Sequence, residues 1–207
     1  AVTRQATGLD DVELARAPGA GYEYSDLNYL LLGGVVEQVG GPFAAEVTRT
    51  ARSQGVDLVA TPAAAQTIPP GHRQMFGRAD GFDPGYDASG LPYGYLGSDL
   101  DGVAAWARAQ LGGGSIDPQA LETMHTGVVD TGSGDRYGQG WRAGELDGEP
   151  VVQHTGATPG YFAHVLLLPE RDLTVVVLAN SYSEARAGAL YDIAGDVVRV
   201  QDGRAPL

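Results

Sequence analysis

Apolar residues recur every three or four positions between Ser25 and Val39, and two glycines follow them. This spacing predicts a helix over the stretch, ended by the glycines. A second helix is predicted over 42–53, because proline suits the first turn of a helix. Ser98 is predicted to be the N-cap of a third helix, with a carboxylate three residues later, and a fourth covers 117–124.

From residue 136 the apolar period changes to two, which is typical of strands. The predicted strands are 136–143, 150–154, 161–168 and 173–179. Asp147-Gly148 is a hairpin signal between the first two strands, and an amphipathic helix is predicted from about 184 to 200. Helices, then an antiparallel meander, then a helix predict an α+β fold in which an antiparallel sheet is flanked by helices.

Residues 56–97 differ from the rest, because they carry several prolines and many glycines without a long periodic segment. We therefore predict an irregular region here, which lines a cleft. Residues 1–24 are predicted to be an entry loop. We expect residues 1–207 to form a single domain, and a partial one for the reason given below.

The composition excludes several kinds of chemistry. All 13 basic residues are arginine, and both lysine and cysteine are absent. The chain therefore has no P-loop lysine, Schiff-base lysine, Ser-Lys pair, cysteine nucleophile or disulfide of its own. A formal charge of −13 argues against nucleic acid as a partner, and no apolar stretch is long enough to span a membrane.

The four histidines have no metal-binding spacing, so neither a metal nor another cofactor is predicted. The absence of cysteine leaves the compartment open, since it fits an exported and a cytoplasmic protein equally.

Two segments carry candidate chemistry. Tyr24-Ser25-Asp26 stands at a loop-to-helix junction, where a tyrosine hydroxyl can face a cleft and act as a hydrogen-bond donor or a base. The alternative is that Tyr24 is a half-buried anchor and its two neighbours only cap the helix.

The second segment, His154-Thr155-Gly156, precedes a strong strand, and its first two side chains can bind a carboxylate or polarise a carbonyl. Gly156 and Gly160 allow a ligand to approach the backbone closely. The alternative is a hairpin edge with a solvent-facing histidine.

In their order along the chain, several motifs resemble those of one family. Residues 24–33 resemble a Tyr-x-Asn segment and the helix after it, and His154-Thr155-Gly156 resembles a Lys-Thr-Gly segment, in which histidine is a frequent substitute. Shorter similarities stand at 2–9, 94–100, 137–141 and 166–170. The chain thus resembles the serine β-lactamase-like, penicillin-recognising hydrolases, which include class C β-lactamases, D-Ala-D-Ala carboxypeptidases and related serine esterases.

The resemblance has gaps. The family's asparagine is Asp26, whose charge should raise the pKa of Tyr24 and make it a poorer base. The 50–65 segment lacks the family's clear Pro-Leu-Gly-Met pattern. The Ser-x-x-Lys motif has no counterpart, so we expect the chain to correspond to the C-terminal two-thirds of a β-lactamase/transpeptidase-like domain. It would then lack the N-terminal strands and the nucleophile helix.

The resemblance implies a serine hydrolase that acts on an amide, β-lactam or ester through an acyl-enzyme, with the nucleophile supplied from outside this chain. The residues that it assigns to catalysis are Tyr24, Asp26 and His154. Those that it assigns to substrate binding are Ser25, Thr155, Gly156, Gly160 and Tyr161. Expected partners are a small-molecule or peptide substrate and a complementary N-terminal segment, second chain or homo-oligomer. The alternative is a non-catalytic binding protein or a truncated domain.

Overall fold

The computed structural model describes residues 13, 16–17, 19–58, 60–75, 78–83, 85–184 and 187–207. The similarity at 2–9 and most of the predicted entry loop lie outside these residues. The helices in this part of the chain are α1 (Asp26–Gly40), α2 (Phe43–Ser53), α3 (Pro62–Ala65), α4 (Leu100–Arg108), α5 (Pro118–His125) and α6 (Ala187–Gln201). The chain continues beyond α4 in a short π-helical stretch, Ala109–Gly113, that is ended by glycines.

The predicted helices are present, but the start of α4 differs from the prediction. Asp99 is the N-cap, and its carboxylate accepts a hydrogen bond of 2.7 Å from the backbone N–H of Gly102. Ser98 instead donates its hydroxyl to the carbonyl of Asp57 at 2.6 Å. The prediction of Ser98 as the cap was therefore wrong by one residue, because a tertiary contact uses that hydroxyl.

The strands form two sheets. The larger has the order β3-β4-β5-β6-β7-β8, and every neighbouring pair is antiparallel. Its strands are β3 (Val129–Asp130), β4 (Arg136–Tyr137), β5 (Arg142–Leu146), β6 (Glu149–Thr158), β7 (Tyr161–Leu168) and β8 (Leu173–Ala179). Asp147 and Gly148, which join β5 to β6, both have positive φ, as a type I′ hairpin turn requires. Helices around a mostly antiparallel sheet confirm the predicted α+β class.

The second sheet lies in a region where no regular structure was predicted. β1 (Gly71–Met75) pairs antiparallel with β2 (Arg78–Phe82) and parallel with β9 (Ser181–Tyr182). The 56–97 region is thus partly regular, since it contains this hairpin and the short helix α3. The hairpin escaped prediction because its strands are polar and mostly exposed, so they carry no alternating apolar pattern.

An apolar cluster lies on each face of the larger sheet. One face carries Val151, Leu166, Leu168 and Val175 against Ala194 and Val198 of α6. The other carries Val152, Val165 and Leu167 against Ala107 and Trp141. Successive residues of a strand point to opposite faces, which explains why neighbours such as Leu166 and Leu167 serve different clusters.

Much apolar surface is exposed on α1. Its buried residues are only Gly33 and Gly34, whereas Leu32 and Val35 are each 56% exposed and Val39 is 82% exposed. Exposed apolar surface of this extent marks an interaction site more often than a free surface.

No helix in the described part of the chain is long and apolar enough to cross a membrane.

Candidate active site

The two segments singled out in the sequence meet in space. The rings of Tyr24, just before α1, and His154, on β6, have centroids 6.4 Å apart. The ring of Tyr137, on β4, completes a triangle with them and makes edge contacts with both, at 6.3 Å from Tyr24 and 6.0 Å from His154. These three side chains form what we call the tyrosine–histidine cluster.

His154 is held by a hydrogen bond inside this cluster. The hydroxyl of Tyr137 lies 3.0 Å from Nε2 of His154. Burial is the main reason that the pKa of His154 is lowered, and the positive charge of Arg142 lowers it further, so the ring is neutral near pH 7. Burial and the neighbouring tyrosines raise the pKa of Tyr137, which therefore keeps its proton.

Tyr24 is 53% exposed and stands at the open side of the cluster. Its partial burial raises its pKa, and the charge of Asp26 and a hydrogen bond to that carboxylate raise it further. The effect of Asp26 has the direction expected from the sequence. A tyrosine whose pKa is raised in this way keeps its proton near neutral pH, so it is available as a hydrogen-bond donor and is scarcely present as a phenolate base.

Ser25 occupies the N-cap position of α1, with an extended backbone and its carbonyl bonded to the N–H of Asn28. Its hydroxyl makes no capping hydrogen bond to the helix. The position thus agrees with the cap expected from the sequence, while its hydroxyl is not used by the helix. Ser25 remains a candidate for binding substrate.

Thr155 and Gly156 lie on the part of β6 that has one open edge. β5 pairs with β6 only as far as Arg142 opposite Gln153, whereas β6 continues to Thr158 on the β7 side. Within the described residues, no strand pairs with 154–158 on the β5 side. This stretch, the open edge of β6, begins at His154 and offers backbone groups to an extended ligand.

Gly160 and Tyr161 lie at the far end of this edge and hold the β1–β2 hairpin. The carbonyl of Gly160 accepts from the N–H of His72 at 3.3 Å, and the hydroxyl of Tyr161 donates to the carbonyl of Pro69 at 3.0 Å. A Cβ atom on Gly71 would lie 2.9 Å from the carbonyl oxygen of Gly160, so the glycine permits this close approach. The structure therefore does not bring these two residues into the tyrosine–histidine cluster.

Tyr137 is the residue that sequence reasoning missed as a site residue. Its segment, 137–141, was noted only as a similarity, and nothing local indicated a hydrogen bond to His154. The contact depends on the meander, in which β4 and β6 flank β5.

Among the described residues, no group of three or more histidine, aspartate or glutamate side chains is arranged to hold a metal ion.

Comparison with known proteins gives the family. The family model described as Beta-lactamase matches residues 6–198. The chain belongs to the beta-lactamase family. A D-aminopeptidase from Gluconobacter oxydans (strain 621H) is 29% identical over 189 residues, which are 83% of this chain and 34% of that protein. Protein flp from Staphylococcus aureus (strain N315) is 24% identical over 199 residues, which are 89% of this chain and 40% of that protein.

Solved structures agree on the fold of this beta-lactamase family chain. An octameric penicillin-binding protein homologue from Pyrococcus abyssi has a TM-score of 0.81 at 21% identity, and the match covers 93% of this chain and 45% of that one. A class C beta-lactamase has a TM-score of 0.74 at 16% identity, with coverages of 91% and 60%. The chain thus spans well under half the length of the curated relatives named above.

Proposed function

We propose that this chain is the substrate-binding and proton-transfer part of a serine hydrolase of the β-lactamase, DD-peptidase or esterase type. The observation that best supports this proposal is the distance of 6.4 Å between the ring centroids of Tyr24 and His154, at the start of the open edge of β6. Such a site places a proton-donating hydroxyl beside a backbone edge that can hold an extended substrate.

In the proposed reaction, an amide, β-lactam or ester lies along the open edge of β6, with Thr155 and Gly156 beside it. A serine from outside the chain attacks the substrate carbonyl and gives its proton to a base that accompanies it, while the leaving amine or alcohol takes a proton from Tyr24. Water then attacks the acyl-enzyme and returns a proton to Tyr24, the base returns its proton to the serine, and the acid is released. Asp26 accepts the hydrogen bond of the Tyr24 hydroxyl before the transfer.

The nucleophile is placed outside the chain because the chain has no lysine and thus no Ser-Lys pair. Two surfaces support a missing segment. α1 exposes a row of apolar side chains, and within the described residues β8 pairs with a strand on one side only. Because the Pyrococcus abyssi homologue is octameric, a second copy of the chain is another candidate to cover these two surfaces.

A non-catalytic binding protein is the second candidate, and one observation favours it. The carboxylate of Asp26 raises the pKa of Tyr24, which makes the hydroxyl a weaker acid and leaves little phenolate to act as a base. A chain that only binds a peptide or small ligand would need the open edge of β6 and would not need a reactive Tyr24.

Covalent labelling separates the two functions. Protein purified from its natural source and the isolated 207-residue chain are each treated with a fluorescent penicillin and a fluorophosphonate. Adducts are then located by mass spectrometry, with heat-denatured samples as the control. We expect the label on a serine of a peptide outside this sequence, and none on the isolated chain.

Each outcome decides between the candidates. Absence of an adduct in the natural material, together with saturable binding of the penicillin, would favour the binding protein. An adduct on a serine within residues 1–207 would contradict the placement of the nucleophile outside the chain.

A further inference from the structure

A cavity of about 460 Å³ lies where the open edge of β6 ends. Ala157 and Thr158, the last residues of that edge, line it together with Arg73 of β1 and Glu184, which follows β9. His154 precedes Ala157 by three residues, so the cavity begins roughly 10 Å along the strand from the tyrosine–histidine cluster. This space, the far-end cavity, is thus continuous with the edge on which the substrate is proposed to lie.

The far-end cavity is lined by one positive and one negative side chain, Arg73 and Glu184. Both are exposed, and within the described part of the chain neither forms an ion pair. Asp80 is opposite Arg73 in the β1–β2 hairpin, but no ion pair joins these two residues either. A ligand with a single charge would be attracted by one lining group and repelled by the other, whereas a dipolar ligand is attracted by both.

The guanidinium of Arg73 is held over the ring of Phe82, with Cζ 3.4 Å from the ring centroid. This contact uses the face of the guanidinium and leaves the N–H groups at its edge free for two hydrogen bonds to a carboxylate. The preceding residue is fixed as well, because the N–H of His72 donates to the carbonyl of Gly160 and its Nδ1 lies 3.0 Å from the carbonyl of Asn180. Arg73 is therefore positioned before a ligand binds, which lowers the entropic cost of binding.

We propose that the far-end cavity binds an amino-acid group that carries both a free carboxylate and a free ammonium. Arg73 binds the carboxylate and Glu184 binds the ammonium, so these two residues determine specificity and take no part in catalysis. The inference rests on the proposed function in one respect, which is that the ligand lies along the open edge of β6.

The requirement for both charges narrows the class of substrate. An amino acid at the end of an ordinary peptide keeps only one of its two main-chain charges, because the other group is used in the peptide bond. The bound amino acid is therefore joined to the rest of the substrate through its side chain. A glutamate linked through its γ-carboxyl group is a simple example, since its α-amino and α-carboxylate groups stay free on one carbon.

Binding of four peptides to the 207-residue chain tests this proposal. All four contain alanyl-alanine amide and differ in the acyl group: γ-glutamyl carries both charges, glutaryl only the carboxylate, 4-aminobutyryl only the ammonium, and butyryl neither. Ligand-observed NMR at pH 7 gives the Kd of each peptide. We expect the γ-glutamyl peptide to bind about fivefold more tightly than either singly charged peptide, which is the upper end of the gain from an exposed ion pair.

Two variants assign the charges. Arg73→Gln should weaken binding of the γ-glutamyl peptide about fivefold without weakening that of the 4-aminobutyryl peptide. Glu184→Gln should weaken the γ-glutamyl peptide by a similar factor without weakening the glutaryl peptide. Arg78→Gln, on β2, and Glu170→Gln, in the turn between β7 and β8, are the matched controls, because they remove the same charges outside the cavity and should leave every Kd unchanged.

Three results would overturn the proposal. If the glutaryl and γ-glutamyl peptides bind equally well, the cavity recognises a carboxylate alone. If all four peptides bind equally well, it recognises neither charge. If the γ-glutamyl peptide does not bind, the cavity is not a site for this class of ligand.

The binding experiment and the labelling experiment can fail separately. If the γ-glutamyl peptide is preferred and no reactive serine is labelled, the hydrolase proposal fails, and the cavity keeps its ligand in a binding protein. If a serine outside the chain is labelled and the four peptides bind alike, the hydrolase proposal stands and the inference about the cavity fails.

Discussion

The rings of Tyr24 and His154 lie 6.4 Å apart, one at the start of α1 and the other on β6. They are 130 residues apart in the sequence (154 − 24), and Tyr137 of the intervening β4 packs against both. The candidate site is therefore a property of the whole meander and of the docking of α1 on it. Any change that separates α1 from the sheet should dismantle the site.

The first prediction concerns Asp26→Asn. The change takes away the negative charge and leaves only a neutral, weaker acceptor for the Tyr24 hydroxyl, so the pKa of Tyr24 should fall. The change can be followed by ¹³C NMR of labelled tyrosine rings as the pH is raised, with Tyr24→Phe used for assignment.

Asp101→Asn is the control, because Asp101 lies in the first turn of another helix, α4. This substitution removes the same charge away from Tyr24. It should leave the Tyr24 titration unchanged. If Asp26→Asn also leaves it unchanged, the carboxylate does not control the Tyr24 proton, and the binding-protein candidate loses its main support.

The second prediction concerns Tyr24→Phe in the assembly that hydrolyses substrate. Loss of a positioned proton donor typically lowers the rate by a factor of about 100 or more. The fall should be in kcat, because the hydroxyl acts on the leaving group and not on the bound substrate. Steady-state kinetics with a chromogenic amide or ester substrate measures it.

Tyr191→Phe is the comparison variant, because Tyr191 lies on α6, against Phe162. It should keep the wild-type kcat. Equal rates for the wild type and Tyr24→Phe would remove Tyr24 from the mechanism.

Local sequence patterns predicted most of the fold but only part of the candidate site. The spacing of apolar residues predicted α1, and the Asp147-Gly148 turn predicted the β5–β6 hairpin, because both features depend on neighbouring residues alone. The polar β1–β2 hairpin was missed because its stability comes from contacts such as Tyr161 to Pro69, which no local pattern contains.

The same limit applies to the site. Tyr24 and His154 were identified because each stands in a recognisable motif. Tyr137 gained its role only when the sheet order placed β4 two strands from β6. Conversely, Gly160 and Tyr161 looked available in the sequence, but the structure uses their polar groups to hold the hairpin.

The third prediction concerns acid stability. His164 is 3% exposed, and burial, with a smaller effect of His154, lowers its pKa from 6.5 to about 4. The unfolded chain therefore binds a proton that the folded chain does not. Stability should be full above pH 6.5 and be lost as the pH falls toward 4, by about 3 kcal/mol at most from this residue.

Urea unfolding at several pH values between 7.5 and 4.5 measures this loss. His164→Asn should flatten the pH dependence, and the slope is compared so that a uniform destabilisation does not matter. A wild-type free energy of unfolding that stays constant from pH 7 to 5 would contradict the prediction.

The last prediction concerns the exposed apolar side chains of α1. Leu32 and Val35 are each 56% exposed, and surface of this kind drives association when nothing covers it. We expect the isolated 207-residue chain to self-associate or to be poorly soluble. The double change Leu32→Glu and Val35→Glu should shift it toward monomer, as measured by size-exclusion chromatography with light scattering. Gln38→Glu adds charge to the same helix at an exposed polar position, so it tests charge alone and should leave association in place. If the wild-type chain is already a soluble monomer, the apolar face of α1 does not need a partner to cover it. The proposal that a missing segment packs on α1 would then be weakened.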